Sequence, residues 1–189
     1  MCEYGKEILI TKGSVMGRGS GKYMVEPLIR YFTKFTSNNG WIANECDVGW
    51  AVLAMEAFSH YTYYRSGGHL IVCDLQGRYR HNQYSREKCR FELTDVAICS
   101  RSRIYGPTDL GEKGIETFFA NHRCNKFCNF DGHWARPRSP AVWFETSHHT
   151  SMVNTETANL LSTNNKARFT SSLTPIYSHT YDSDSSDSW

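Results

Sequence analysis

The chain has 189 residues, 40% of them apolar, which is enough for one substantial core and not for two. Its 21 Lys and Arg against 19 Asp and Glu leave a formal charge of +2, which excludes the strongly basic face of a general nucleic-acid binder and the run of an acidic tail. The cysteines Cys2, Cys46, Cys73, Cys89, Cys99, Cys124 and Cys128 are odd in number and irregularly spaced, unlike a disulfide framework. No apolar run approaches the ~18 residues of a membrane span, and the N-terminus lacks a signal-peptide core. An intracellular, cytoplasmic protein with reduced thiols and no membrane partner is expected.

Two β-prone runs, EILITK from Glu7 and YMVEPLI from Tyr23, flank the glycine-rich GSVMGRGSGK, and the pattern predicts a hairpin between them. The GRGSGK stretch resembles a phosphate loop, but Met16 stands where the first glycine of that motif belongs and Tyr23 replaces its Ser or Thr. Nucleotide binding is not expected there. Helical spacing from Val48 to Tyr64 predicts a helix with Asp47 as N-cap and Gly67-Gly68 as stop; Leu53, Ala57, His60 and Tyr64 share one face. The apolar HLIVCDL that follows predicts a buried strand ending on Asp74-Leu75-Gln76-Gly77. RYRHNQYSREKCRFE, with Arg78, Arg80, Arg86, Lys88 and Arg90, predicts a long basic surface loop leading to Leu93-Thr94-Asp95. After Gly106-Pro107, Thr108 or Asp109 can cap a helix through LGEKGIETFFANH, which delivers His122. From about Pro140 the composition turns to Ser, Thr, Asn and His, and residues 136–189 are expected to form a largely disordered tail.

Two constellations carry chemistry. His122, Cys124 and Cys128 form H-x-C-x3-C, one imidazole and two thiols within two helical turns. Zinc takes four nitrogen or sulfur ligands in a tetrahedron, so a fourth must come from elsewhere, with His60, Cys99 and His133 as candidates. Two buried cysteines beside a surface histidine would explain the same spacing without a metal. The second constellation is Asp74 with Gln76, at the end of the predicted strand and pointing the same way by alternation. A carboxylate and an amide oxygen aimed at one point suit Mg²⁺, which also takes substrate phosphates as ligands. Asp95, behind the basic loop, is placed to orient or deprotonate a hydroxyl nucleophile. Strand-end capping would account for either aspartate alone.

Taken in order, YMVEPLI, FTKFTSNNGW, EAFSHYTYYRSGGHLIVCDLQG, LTDVAICS and GPTDLGEKGIETFFANHRCNKFC resemble the α-kinase family of atypical protein kinases, from about Tyr23 to Cys128. The resemblance implies an α+β, atypical protein-kinase-like fold with a partial N-lobe β-sheet (1–35) and a zinc-containing mixed C-lobe (36–135). It implies His60 as the fourth zinc ligand with His122, Cys124 and Cys128. It also implies Asp74 and Gln76 as the magnesium pair, Asp95 as the catalytic aspartate, and Glu26, Lys34 and Asn38 around ATP. Gly106 to Gly114 matches the family's glycine-rich motif, whose helix start can hold an anion.

The implied function is an α-type serine/threonine protein kinase acting on a protein substrate with ATP, Mg²⁺ and structural Zn²⁺. The family's N-lobe starts before the hairpin, with a lysine and an arginine that grip the ATP phosphates. Lys6 and Lys12 lie in no matching motif, so an N-terminally truncated family member is expected. The alternatives are a zinc-stabilised, catalytically inactive binding module and a truncated gene model. A nucleic-acid partner is not expected, because aromatic and basic residues do not interleave.

Overall fold

A computed structural model of the chain describes residues 6–19, 21–80, 89–128 and 134–153. The elements run β1 (Lys6–Ile10), β2 (Ser14–Arg18), β3 (Gly21–Val25), β4 (Thr33–Lys34), α1 (Glu45–Val48), α2 (Trp50–Arg65), β5 (Leu70–Cys73), β6 (Gln76–Arg80), β7 (Cys89–Leu93), β8 (Ala97–Ser100) and α3 (Gly111–Asn121). β1 pairs in parallel with β7, and β7 runs antiparallel to β6, which pairs antiparallel with β4. The result is a mixed four-stranded sheet in the order β1-β7-β6-β4. β5 and β8 form a separate antiparallel pair.

The hairpin is not the one the sequence suggests. β1 does not fold back on the YMV run; the glycine-rich segment itself supplies β2, which pairs with β3 across a turn at Gly19 (φ 62°). β1 instead sets Ile8 against Phe91 and Ile10 against Leu93, where Phe91 and Leu93 belong to a fully buried cluster. Val15, Met16, Tyr23 and Met24 of the hairpin stay exposed.

The basic loop is also shorter than expected. Gln76–Arg80 and Cys89–Leu93 are paired strands in which Cys89, Phe91 and Leu93 point inward, while Arg78 and Arg80 meet Glu92 and Arg90 meets Glu7. Outward arginines masked the alternation of these strands. Arg86 and Lys88 lie outside the described residues.

The predicted helix from Val48 to Tyr64 is α2, which starts two residues later because Gly49 (φ 69°) separates it from the single turn α1. Asn44 caps α1 by accepting from the Cys46 N–H at 2.9 Å, and Asp47 lies inside that turn. α2 is buried along more than one face because it serves two cores. Ala51, Ala54 and Met55 pack with Phe35, Leu75, Phe91 and Leu93, whereas Tyr63 packs with Ile71, Cys99, Ile115, Phe118 and Phe119. The chain passes from one core to the other at Asp74-Leu75. There the Leu75 carbonyl accepts from the Phe35 and Thr36 N–H groups, and the Leu75 N–H donates to Thr36 Oγ1. The Ser- and Thr-rich segment starts to depart from its compositional expectation at this same place: residues 134–153 are ordered against the body, and residues 154–189 lie outside the described residues.

Candidate active site and metal centre

Asp74 and Asp95 each occupy a break in the strand pattern, Asp74 between β5 and β6 and Asp95 between β7 and β8. Both adopt left-handed backbone, with φ of 55° and 48°. L-residues enter that region at a cost, and surrounding structure must hold them in it. Asp74 and Gln76 are therefore not two positions of one strand, as the alternation argument supposed; the turn at Asp74 lifts its carboxylate off the β5 register. The Asp74 carboxylate is buried and forms an ion pair with Lys34, Nζ lying 2.6 Å from Oδ1. Lys34 comes from β4, which is hydrogen-bonded to the start of β6. Gln76 Nε2 donates to the Asp95 carbonyl at 3.1 Å, so the DLQ and LTD segments are fastened to each other.

Gly77 makes that approach possible. A Cβ at this position, with φ of 146°, would lie 2.0 Å from the Glu92 carbonyl oxygen. Only glycine lets β6 and β7 close here. Beside them, Glu26 Oε2 accepts hydrogen bonds from the Thr11 and Thr94 hydroxyls. Burial of the Asp95 carboxyl raises its pKa above the ordinary aspartate value, reinforced by the charges of Asp74 and Glu26 and opposed by Lys34. Asn38 lies further along, its Nδ2 donating to the Thr108 carbonyl of the glycine-rich segment at 2.9 Å.

The second cluster joins α2, the end of α3 and the turn after it. His60 Nδ1 lies 3.6 Å from Cys124 Sγ, and His122 Nε2 lies 3.5 Å from Cys128 Sγ. The four donor atoms all fall within 4.8 Å of one another. A zinc tetrahedron with ordinary bond lengths has nitrogen-to-sulfur edges of ~3.6 Å, which these two pairs match, and the widest separation in the set would close by about 1 Å around such an ion. Both imidazoles are held by their other nitrogen: His60 Nε2 lies 3.2 Å from the Ala135 carbonyl, and His122 Nδ1 lies 2.9 Å from Glu56 Oε1. Burial, helped by His122, lowers the His60 pKa to about 4, and burial pushes the Cys128 thiol up to about 11. Of the other fourth-ligand candidates, Cys99 lies elsewhere, with its sulfur 3.6 Å from Cys73 Sγ, and His133 is outside the described residues.

A sequence profile described as the alpha-kinase family matches residues 4–128. The chain belongs to the alpha-kinase family. Among curated α-kinases, it is 34% identical over 113 residues to the eukaryotic elongation factor 2 kinase of Caenorhabditis elegans, covering 59% of this chain and 13% of that protein. It is 35% identical over 98 residues to alpha-protein kinase vwkA of Dictyostelium discoideum, covering 51% of this chain and 14% of that one. The chain thus spans about a seventh of the length of these two relatives. Its fold is similar to that of an alpha kinase from Entamoeba histolytica, with a TM-score of 0.54 at 26% identity over 78% of this chain and 60% of the other. The alpha-kinase domain of myosin heavy chain kinase A in complex with ADP gives a TM-score of 0.50 at 28% identity, covering 64% and 46%. The mixed sheet and helices are those of an α-kinase domain, and the family is one of protein kinases. No helix among the described residues is long and apolar enough to cross a membrane.

Two residues beside the candidate metal cluster went unnoticed in the sequence. Glu56 sits one helical turn before His60 on α2, and that i, i+4 spacing is a signal that could have found it. Asn125, inside the H-x-C-x3-C segment, donates from Nδ2 to the Leu53 carbonyl and accepts from the Phe127 N–H, tying that turn to α2. Nothing local in the sequence marks that contact.

Proposed function

We propose that this chain is an α-type serine/threonine protein kinase that transfers the γ-phosphate of Mg·ATP to a protein hydroxyl. The observation that carries the reading is the fastening of the DLQ and LTD segments, with Lys34 on Asp74 and Gln76 on the Asp95 main chain. One cation, two carboxylates and one amide then converge where phosphoryl transfer needs charge neutralisation and positioning more than covalent chemistry.

Asp74 and Gln76 would bind the magnesium ion that accompanies the nucleotide, which supplies charge neutralisation at the phosphates. Lys34 would meet phosphate oxygen once nucleotide competes for it, and Asn38 would line the same site. The Glu26 carboxylate is already engaged by Thr11 and Thr94. Its contact with adenine would then fall to its main chain. The acceptor hydroxyl oxygen attacks the γ-phosphorus, its proton passes to an Asp95 carboxylate oxygen, and the bond to the ADP oxygen breaks. A raised Asp95 pKa makes this carboxylate a stronger base than an ordinary aspartate.

His60, His122, Cys124 and Cys128 would hold a structural zinc ion. Two thiols and two neutral imidazoles suit zinc, and Glu56 on His122 is the usual kind of outer partner that fixes a ligand ring. A zinc ion would supply the positive charge that the buried Cys128 sulfur lacks.

The test is transfer of label from γ-labelled Mg·ATP to a generic basic protein, followed by hydrolysis to phosphoamino acids. Label on serine or threonine, absent from the Asp95→Ala variant, is the expected result. Equal labelling by wild type and variant would instead favour the inactive binding module. One zinc per chain by metal analysis is expected in parallel.

A further inference from the structure

The segment Ser147–Val153 lies across the groups to which nucleotide and magnesium are assigned. Thr150 Oγ1 accepts from Lys34 Nζ at 3.2 Å and donates to Asp74 Oδ2 at 2.5 Å. The Asn38 side chain reads the main chain of Ser151 from both sides, Nδ2 donating to its carbonyl at 2.7 Å and Oδ1 accepting its N–H at 2.8 Å. Asn39 adds bonds from Nδ2 to the His149 carbonyl and to the Ser147 and Ser151 hydroxyls, and Ser37 Oγ donates to the His148 carbonyl. At its end the Val153 N–H donates to the Pro107 carbonyl of the glycine-rich segment.

This is a built site. Ser37, Asn38, Asn39 and Asp74 are each no more than 1% exposed with the segment seated, and the segment supplies partners to Ser37 Oγ, to both ends of the Asn38 and Asn39 amides and to Asp74 Oδ2. Buried amides and carboxylates without partners are costly, so this groove calls for an occupant with matched donors and acceptors. The geometry points to residues 147–153 as an intramolecular ligand of the nucleotide site, displaced when Mg·ATP binds. The inference rests on the kinase reading. Lys34, Asn38 and Asp74 cannot satisfy Thr150 and Ser151 and also hold a metal-bound nucleotide. Strap and nucleotide are therefore competitors, and the strap sets the apparent affinity for the nucleotide.

The full chain and a full-length Thr150→Val, Ser151→Pro variant separate the possibilities. Valine removes the hydroxyl that bridges Lys34 and Asp74, and proline removes the N–H that Asn38 accepts. With the strap seated in about nine molecules of ten, the variant binds Mg·ADP about tenfold more tightly by calorimetry. A peptide of residues 146–153 added to the variant reverses the gain competitively. Because the Trp41 and His148 rings lie 5.0 Å apart, Mg·ADP should also shift Trp41 emission in the wild type and not in the variant. Equal Mg·ADP affinity in both chains, or a peptide without effect, overturns the strap and leaves the kinase reading standing. Failure of both chains to bind Mg·ADP overturns the kinase reading, and the strap as competitor falls with it.

Discussion

Asp95 is held in left-handed backbone with its carboxyl partly buried near two other carboxylates, an arrangement that stability alone does not favour. Because its folded pKa is raised, the folded chain binds the proton more tightly than the unfolded chain. Stability is therefore lost as pH rises from the ordinary aspartate value through the raised one. Asp95→Asn removes that charge, so its melting temperature at neutral pH should be equal to or above wild type while phosphotransfer falls about 100-fold or more. A variant that loses both would place Asp95 in the scaffold. The same shift puts the acid limb of the wild-type kcat/KM profile, which reports the free enzyme, above pH 3.8, the ordinary value, since the base must be ionised to accept the proton. Asp74 behaves differently, because its carboxylate and the Lys34 ammonium are both buried. Asp74→Ala should cost about 3 kcal/mol in urea unfolding by leaving Lys34 uncompensated. At the metal cluster, Glu56→Gln keeps the size of the side chain but loses the charge facing His122, and zinc affinity measured by competition with a chelator should weaken about 10- to 100-fold.

At the scale of elements, β6 and β7 bring the two aspartate-bearing turns together, and Gly77 is the point of closest approach. Gly77→Ala should destabilise the chain by about 2–4 kcal/mol, since the strain falls on backbone that cannot yield. An unchanged unfolding midpoint would mean that the strands can separate without loss. The candidate site residues were legible through fixed local spacing together with the resemblance to the family. Asp74 with Gln76, Asp95, and His122 with the two cysteines lie in short motifs whose chemistry reads directly from residue type. α3 and the buried strand β5 were equally plain, because their apolar periodicity is strong. Partner choice was not legible. β1 lies beside β7 through a long-range parallel pairing that no local turn announces, and the hairpin forms inside the glycine run. The arginines of β6 and β7 concealed a strand pair because their charges meet Glu92 and Glu7 on the exposed face. The Ser- and Thr-rich segment offers little apolar surface, so composition predicted disorder. What orders residues 147–153 is polar complementarity with Ser37, Asn38, Asn39 and Asp74, which has no signature in a hydrophobicity pattern.

Across the described residues, α2 is shared by both cores and by the His/Cys cluster, so the fold depends on it in three places. Holding His60 against the turn that follows α3 fastens the two long helices to each other. Chelation of zinc, or Cys124→Ser, should therefore lower the melting temperature of the whole body rather than loosen one loop, read by near-ultraviolet circular dichroism. A metal-free chain with an unchanged melting temperature would remove zinc from the account. The proposed phosphotransfer residues are Lys34, Asp74, Gln76 and Asp95. The rate of γ-phosphate transfer to a protein hydroxyl, compared between wild type and Asp95→Asn at saturating Mg·ATP, tests the central claim most directly. The account predicts a wild-type rate about 100-fold or more above that of a folded variant; equal rates in two folded proteins would contradict it.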